Sequence, residues 1–290
     1  MWAELKELWR YRELLLTFVL RDLRVRYKNS ALGFFWSLLN PLATVLVMTV
    51  VFKHIMGFSN PNYSAYLLAA YLPWVFFQMT LMDSSQSILL NMPVIRKVYF
   101  PREILPLTAV CANLVHFLLA LLVFFCYLLV VWLLNPQISP FTWKALWVFP
   151  LLLGHGALAA GLALFVSALN TFYEDVKYIL GVLLYLLFFL CPVIYFSENV
   201  ANSQLIAPEH RRAVYVAYHL NPVAMYLTAY RKVLLPEQGV QMKSVRGTDS
   251  FEALPLEGGL LASAVGVSGV ALVGGYAYFN RRKWEFVERP

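Results

Sequence analysis

Six long uncharged apolar runs punctuate the chain, at about 31–52, 64–82, 104–134, 145–169, 178–196 and 258–279, and no Lys, Arg, Asp or Glu falls inside any of them. A helix crosses a bilayer with about 20 apolar residues, so each run predicts a transmembrane span. The third run covers 31 residues, more than the hydrocarbon core requires, and predicts a helix that tilts or projects beyond the membrane.

The stretch before the first run has a different pattern. Lys6, Arg10, Glu13, Thr17, Arg21, Arg24 and Lys28 recur at steps of three and four, while Leu5, Leu8, Tyr11, Leu15 and Phe18 line another side. That periodicity predicts an amphipathic helix over residues 1–30, lying in the headgroup region with its cations near anionic lipid. Its polar face serves either as a membrane-surface anchor alone or as a docking face for a soluble partner.

The positions of the cations set the orientation. With the N-terminus inside, 7 Lys or Arg precede the first span, 3 lie in loop 83–103, 1 lies in loop 170–177 and 4 follow the last span, so 15 of the 23 are cytoplasmic. The short outer loops hold only Lys53 and Lys144, and the other 6 lie in segment 197–257, whose length weakens its weight. Both termini are therefore expected in the cytoplasm. Trp132, Trp143 and Trp147 then fall near the outer boundary, where an aromatic belt is expected.

Composition agrees: 60% of the 290 residues are hydrophobic and 13% charged, against about 25% charged in soluble domains. The net charge of +7 suits an anionic membrane surface, and the placement of the cations gives no reason to expect nucleic acid as a partner. Cys111, Cys126 and Cys191 all lie in apolar runs and read as small buried hydrophobes, with no disulfide or metal set among them. No cleavable signal peptide is legible, so the first span is expected to act as its own insertion signal.

The loop NMPVIRKVYFPREILPL, residues 91–107, is richer than a linker needs. It combines Arg96, Lys97 and Arg102 with Tyr99, Phe100, Pro101 and Glu103. Counted from Asp83, it is long enough for a short helix ended by Pro101. Aromatic rings beside cations suit a cleft in another protein; a juxtamembrane loop held by snorkelling cations is the plainer reading. No catalytic residue or metal site is predicted. No phosphate-binding loop occurs and no glycine precedes a lysine, so ATP-driven work requires a separate subunit. His116 and His155 are the only ionisable candidates for ion coupling within the runs, and they read better as interhelical hydrogen-bonding residues.

At this point the residues form a resemblance. RDLRVRYKNSALGFFWSLLNPL (21–42), LPWVFFQ (72–78), IRKVYFPREILPL (95–107), CPVIYF (191–196), LNPVAMYLTAYRKVLL (220–235) and FNRRKWEFVE (279–288) together resemble the transmembrane subunit of bacterial ABC polysaccharide exporters. That family includes permeases for O-antigen, capsular polysaccharide and wall teichoic acid. One departure is NTFYEDV (170–176), where the family commonly has Arg before Asp; here Glu174 stands in that place, while Asp175 matches.

The resemblance implies an all-α integral membrane protein with six spans in residues 31–290, both termini cytoplasmic, and short re-entrant helices before the last span. It also implies a homodimer bound to two ATPase subunits, which carry the ATP and Mg, and a lipid-linked polysaccharide substrate. Arg96, Lys97, Tyr99, Phe100, Pro101, Arg102 and Glu103 then form a coupling element for the ATPase, with Glu174 and Asp175 as weaker candidates for the same surface. In the outer segment 197–257 the apolar stretch is broken at Asn221 and Pro222, so neither half reaches span length. A pair of short helices dipping into the outer leaflet, bordering the exit as an outer gate, is the expectation; a hairpin on the surface is the alternative. Residues 236–257 read as a polar excursion.

Sugar polymers need many weak aromatic contacts. Phe35, Trp36, Trp74, Phe77 and Tyr195 are the pathway candidates, because they lie in the resembling segments of spans one, two and five, which line the pathway in the family. Lipid-linked O-antigen is the first expectation, followed by teichoic acid or capsule. A drug or lipid efflux permease and a membrane-embedded transferase are the remaining alternatives, although no His and Asp cluster supports the transferase.

Overall fold

A computed structural model describes residues 2–27, 35–55, 62–134, 143–203, 205–236, 240–244 and 247–287. The N-terminal amphipathic stretch is two helices, α1 (Trp2–Arg10) and α2 (Arg12–Tyr27), joined at Tyr11. The Tyr11 amide still donates to the Glu7 carbonyl at 3.2 Å and the Leu15 amide to the Tyr11 carbonyl at 3.1 Å, so the helical phase carries across the joint and Lys6, Arg10, Glu13 and Thr17 are exposed on both sides of it. Leu8, Tyr11, Leu15 and Phe18 do pack inward as the pattern predicts.

The first apolar run forms α3 (Phe35–Thr49), continued by a π-helical turn over Val50–Ile55. Next come α4 (Tyr63–Leu90), the single turn α5 (Met92–Ile95) and α6 (Ile104–Leu134). A 3₁₀ turn over Trp143–Trp147 leads into α7 (Val148–Phe172), which is followed by α8 (Val176–Leu190). Trp143 and Trp147 on that turn are exposed, as a boundary position requires. Four shorter elements occupy the expected outer segment before the hairpin ends: α9 (Ser197–Ala201), a 3₁₀ turn (Pro208–His210), α10 (Arg211–His219) and α11 (Pro222–Leu234). The hairpin strands β1 (Val240–Ser244) and β2 (Gly247–Phe251) precede α12 (Gly258–Arg282) and a final 3₁₀ turn over Lys283–Val287.

Among the described residues, four helical segments are long and apolar enough to cross a membrane: Tyr63–Leu90, Ile104–Leu133, Trp143–Phe172 and Gly258–Phe286. The apolar stretches Leu39–Ile55 and Val176–Leu190 are shorter. The fifth run, expected to be helical over 178–196, stops being helical at Leu190. Cys191 is extended, with φ −94° and ψ 153°, because the ring of Pro192 disfavours a helical conformation in the residue before it.

The second run corrects the other way. Its apolar pattern ends at Met82, but α4 continues through Asp83 to Leu90, so the first part of the expected loop is helix. Its polar side chains are accommodated between helices. Asp83 accepts hydrogen bonds from Arg26 at 2.6 Å and from Asn113 at 2.8 Å, tying α4 to α2 and α6. Residues 236–257, the expected polar excursion, contain the antiparallel pair β1 and β2, in register from Val240 opposite Phe251 to Ser244 opposite Gly247. The fold is otherwise helical among the described residues.

α4 is the central helix, buried on most of its circumference and packed by α6, α7, α8 and α11. A helix apolar all round needs such a position. The most extensive pairing is between α7 and α12. A methyl group on Gly161 of α7 would overlap the backbone of Ala271, and one on Gly275 of α12 would overlap the carbonyl of Gly161. Small residues let helix backbones touch and gain dispersion contacts where lipid supplies no hydrophobic drive.

Candidate functional site

A second, smaller apolar cluster organises the end of the molecule where α1, α2, the 96–103 loop and the C-terminal turn meet. Phe18, Ile95, Phe100, Ile104, Phe279 and Phe286 belong to it. Asn91 closes α4 by donating from Nδ2 to the Ser87 carbonyl at 2.8 Å, and the loop then runs outward through residues 96–99. Arg96, Lys97 and Tyr99 are exposed, Tyr99 to 66%. The Tyr99 hydroxyl reaches Glu7 of α1 at 3.5 Å. Phe100 turns in and meets Phe18 edge-on, centroids 5.8 Å apart.

Pro101 and Arg102 are half-buried, and the Arg102 guanidinium lies 5.6 Å from the centre of the Trp284 ring. Burial pulls that guanidinium below its ordinary pKa, against the opposing effect of Glu103. Glu103 was expected among the outward polar contacts; it is buried, with its Oε1 2.8 Å from Lys283 Nζ. Glu7, Tyr99, Arg102, Glu103, Lys283 and Trp284 line a cleft of about 90 Å³. The predicted coupling residues thus divide: Arg96, Lys97 and Tyr99 face outward, Arg102 sits at the cleft, and Phe100 and Glu103 anchor the loop from within.

Glu174 and Asp175 are exposed on the turn between α7 and α8. Phe172, just before them, packs at a tilt against Phe286 with centroids 5.8 Å apart and lies under the Arg282 guanidinium at 5.3 Å. The two predicted loops therefore share one end of the molecule, joined through the C-terminal turn. That turn was missed as a site element, although the basic cluster Arg281, Arg282 and Lys283 beside Trp284 and Phe286 could have signalled it.

The aromatic pathway candidates separate in a similar way. Trp74 and Phe77 are buried in the chain's own bundle, Trp74 against Phe188 with centroids 5.7 Å apart and Phe77 stacked on His155 at 5.7 Å. Phe35 and Trp36 fall on α3, but their side chains lie outside the described residues. Tyr195 is half-buried in the turn after α8, where its hydroxyl donates to the Leu190 carbonyl at 3.0 Å and meets Tyr218 Oη at 3.0 Å. His155, expected to bridge helices by hydrogen bonds, instead packs between the rings of Phe77 and Tyr226, with neither ring nitrogen bonded to protein.

At the other end of the bundle, Asn221 and Pro222 do break the chain as predicted. The Asn221 side chain accepts from the Val223 amide at 3.0 Å, and Pro222 occupies the first turn of α11. Proline suits that position because its missing N–H has no helical partner there. The residue that fastens this region was not anticipated. Arg231, 2% exposed, donates Nε to the Tyr66 carbonyl at 3.2 Å, Nη1 to the Tyr195 carbonyl at 2.7 Å and Nη2 to the Val193 carbonyl, with its guanidinium 4.2 Å from the Tyr66 ring centre. Adjacent cations in an otherwise apolar stretch, Arg231 and Lys232, demand buried partners, which was the available signal.

Glu198 forms a second buried anchor, 2.9 Å from Lys232 Nζ and 3.0 Å from Ser197 Oγ. Burial by itself raises the Glu198 carboxyl, but the charge and hydrogen bond of Lys232, with the Ser197 hydroxyl, outweigh it and leave the group below its ordinary value. Its stabilising contribution is therefore present above the unfolded carboxylate range and is lost as pH falls through the lower folded value. Melting curves should show Tm dropping below about pH 4, with part of that slope removed in Glu198→Gln; identical slopes would refute the assignment.

Comparison with known proteins places this architecture. The family model for the ABC-2 type transporter matches residues 13–235. The chain belongs to the ABC-2 type transporter family. Its similarity to individual members extends over nearly its whole length. It is 30% identical to the O-antigen export system permease protein RfbA of Myxococcus xanthus, over 98% of this chain and 97% of that protein. It is 29% identical to a protein of the same name from Klebsiella pneumoniae, over 95% and 94% respectively. The polysialic acid transport protein KpsM of Escherichia coli is 24% identical over 75% of this chain and 79% of its own length. The resemblance drawn from the sequence motifs and this ABC-2 membership agree, and the four long apolar helices are those of a membrane transporter component.

Proposed function

We propose that the chain is the permease of an ATP-driven exporter that moves lipid-linked polysaccharide, O-antigen first, from the cytoplasmic to the outer side of a bacterial inner membrane. The observation that carries this reading is similarity to O-antigen export permeases along 94–97% of their length. A capsular polysaccharide is the second reading, favoured by the polysialic acid transport relative.

ATP and Mg belong on a separate ATPase subunit, since the chain has no phosphate loop of its own. Two copies of each subunit form the transporter. Six spans result when α3 with its π turn and α8 join the four long helices. Phe35–Ile55 contains 21 residues; α8, at 15 residues, extends about 22 Å, and a short span is accommodated by local thinning of the bilayer. The end bearing α1, the 96–103 loop and the C-terminal turn faces the cytoplasm and the ATPase, while α9–α11 face outward as the gate region. In this conformation Tyr195 remains a pathway candidate at that gate, and Trp74 and Phe77 support the bundle that frames it.

Exposed Tyr99 and cleft-lining Arg102 of the proposed coupling loop give a direct test. Tyr99→Ala combined with Arg102→Ala is expected to leave the protein in the membrane and to weaken co-purification with the ATPase about tenfold or more, as loss of central aromatic and arginine contacts does elsewhere. Undiminished co-purification and export would remove this loop from the interface.

A further inference from the structure

We propose that α12 transmits movement of the 96–103 loop to the outer helices, and that the Glu103–Lys283 ion pair is the joint through which the movement enters it. The proposal rests on the permease reading and specifies its mechanics.

The joint is rigid for physical reasons. Glu103 immediately precedes α6, and Lys283 immediately follows α12. They lie 180 positions apart in sequence, with side chains only 3% and 11% exposed. Two charges withdrawn from water hold each other, because separating them strands an ion in a poor dielectric. The surrounding turn is seated independently: Phe286 contacts Phe279 with centroids 5.4 Å apart as well as Phe172, and Arg102 covers Trp284. A displacement of the loop at Phe100 to Glu103 therefore carries the end of α12 with it.

Along its length α12 has direct links to the bundle. At Gly161 and Gly275 the backbones of α7 and α12 meet with no side chain between them to absorb a shift, and Phe165 packs on Tyr278 nearby, centroids 5.0 Å apart. The Tyr226 hydroxyl of α11 meets Ser268 Oγ of α12 at 2.9 Å. A helix of 25 residues spans about 37 Å. At its far end, Glu257 is paired with Arg212 at the start of α10, Nη2 to Oε2 at 2.8 Å. Just upstream, the Leu254 carbonyl receives Lys232, which also holds Glu198. Ion pairs thus join α12 to the loop at one end and to the outer helices at the other.

Lys283 and Glu103 are positioning residues, and the readout that separates transmission from simple stapling is polymer exported per ATP hydrolysed. The complete permease and ATPase complex in lipid vesicles, supplied with lipid-linked polysaccharide, is the material. Lys283→Met is expected to lower that ratio about tenfold, the size of effect that mutations along coupling networks produce, while the charge swap Glu103→Lys with Lys283→Glu restores most of it. If Lys283→Met does not accumulate, Glu103→Leu with Lys283→Met removes both charges without orphaning either, and it too is expected to show the reduced ratio. A full ratio in Lys283→Met, or in the doubly apolar variant, overturns the proposal, as does a charge swap that assembles but fails to recover. If the wild-type complex neither assembles nor exports polymer, the permease reading itself fails, an outcome distinct from wild-type export with undisturbed variants.

Discussion

Gly161→Ala is expected to destabilise the folded protein severely, whereas Gly156→Ala on the same helix is expected to be neutral or mildly stabilising. The added methyl at Gly161 meets the backbone of Ala271 at a distance no real contact tolerates, while nothing lies within 4 Å of the corresponding position on Gly156. Backbone cannot rotate out of the way as a long side chain can, so α7 and α12 must separate. Overpacking of a well-fitted interior costs about 1–3 kcal/mol and more where nothing yields; relief of a helical glycine is worth up to about 1 kcal/mol in the other direction. Gly275→Ala should match Gly161→Ala, because its methyl strikes the Gly161 carbonyl from the opposite side. Melting temperature and monodisperse yield after solubilisation measure the contrast. Equal behaviour of Gly161→Ala and Gly156→Ala would show that the two backbones are not in contact.

Arg231→Leu is expected to be comparably damaging at the other end. The guanidinium gathers the carbonyls of Tyr66, Val193 and Tyr195, fixing the turn after α8 against α4. Removing it strands the Val193 and Tyr195 carbonyls, each at about 1–3 kcal/mol when buried, and takes a second donor from the helical Tyr66 carbonyl, against a total stability of about 5–15 kcal/mol. Arg231→Lys should fall between, since a single ammonium cannot reproduce the fork that serves three oxygens in different directions. Loss of folded material in Arg231→Leu with partial recovery in Arg231→Lys is the expected pattern in a solubilisation and melting series. Wild-type melting in Arg231→Leu would mean that the turn is held by its apolar packing alone.

Hydrophobic patterning made most of the helical architecture legible, because a continuous apolar run of about 20 residues that must satisfy its backbone within itself does so only as a helix. The pattern was less informative where polar residues are buried against each other. Asp83 marked the end of an apolar run, but the helix continues because Arg26 and Asn113 meet its carboxylate from neighbouring helices; nothing local to residue 83 announces those partners. Pro192, by contrast, was a readable stop signal inside the fifth run. For the site, the 96–103 loop stands out in the sequence by its aromatic and basic mixture. The division between Tyr99 outside and Glu103 inside could not, since it depends on Lys283, far away in sequence. Trp74 illustrates the same limit: nothing in its local sequence announces that it is buried against Phe188, far along the chain.

The most direct measurement is ATP hydrolysis by the co-expressed permease and ATPase in lipid, with and without a lipid-linked polysaccharide extract. Co-purification of the two proteins, stimulation of hydrolysis by the polymer, and loss of that stimulation on changing Tyr99 and Arg102 are the results expected of a polysaccharide exporter coupled through the 96–103 loop. Two proteins that neither co-purify nor respond to polymer would contradict it.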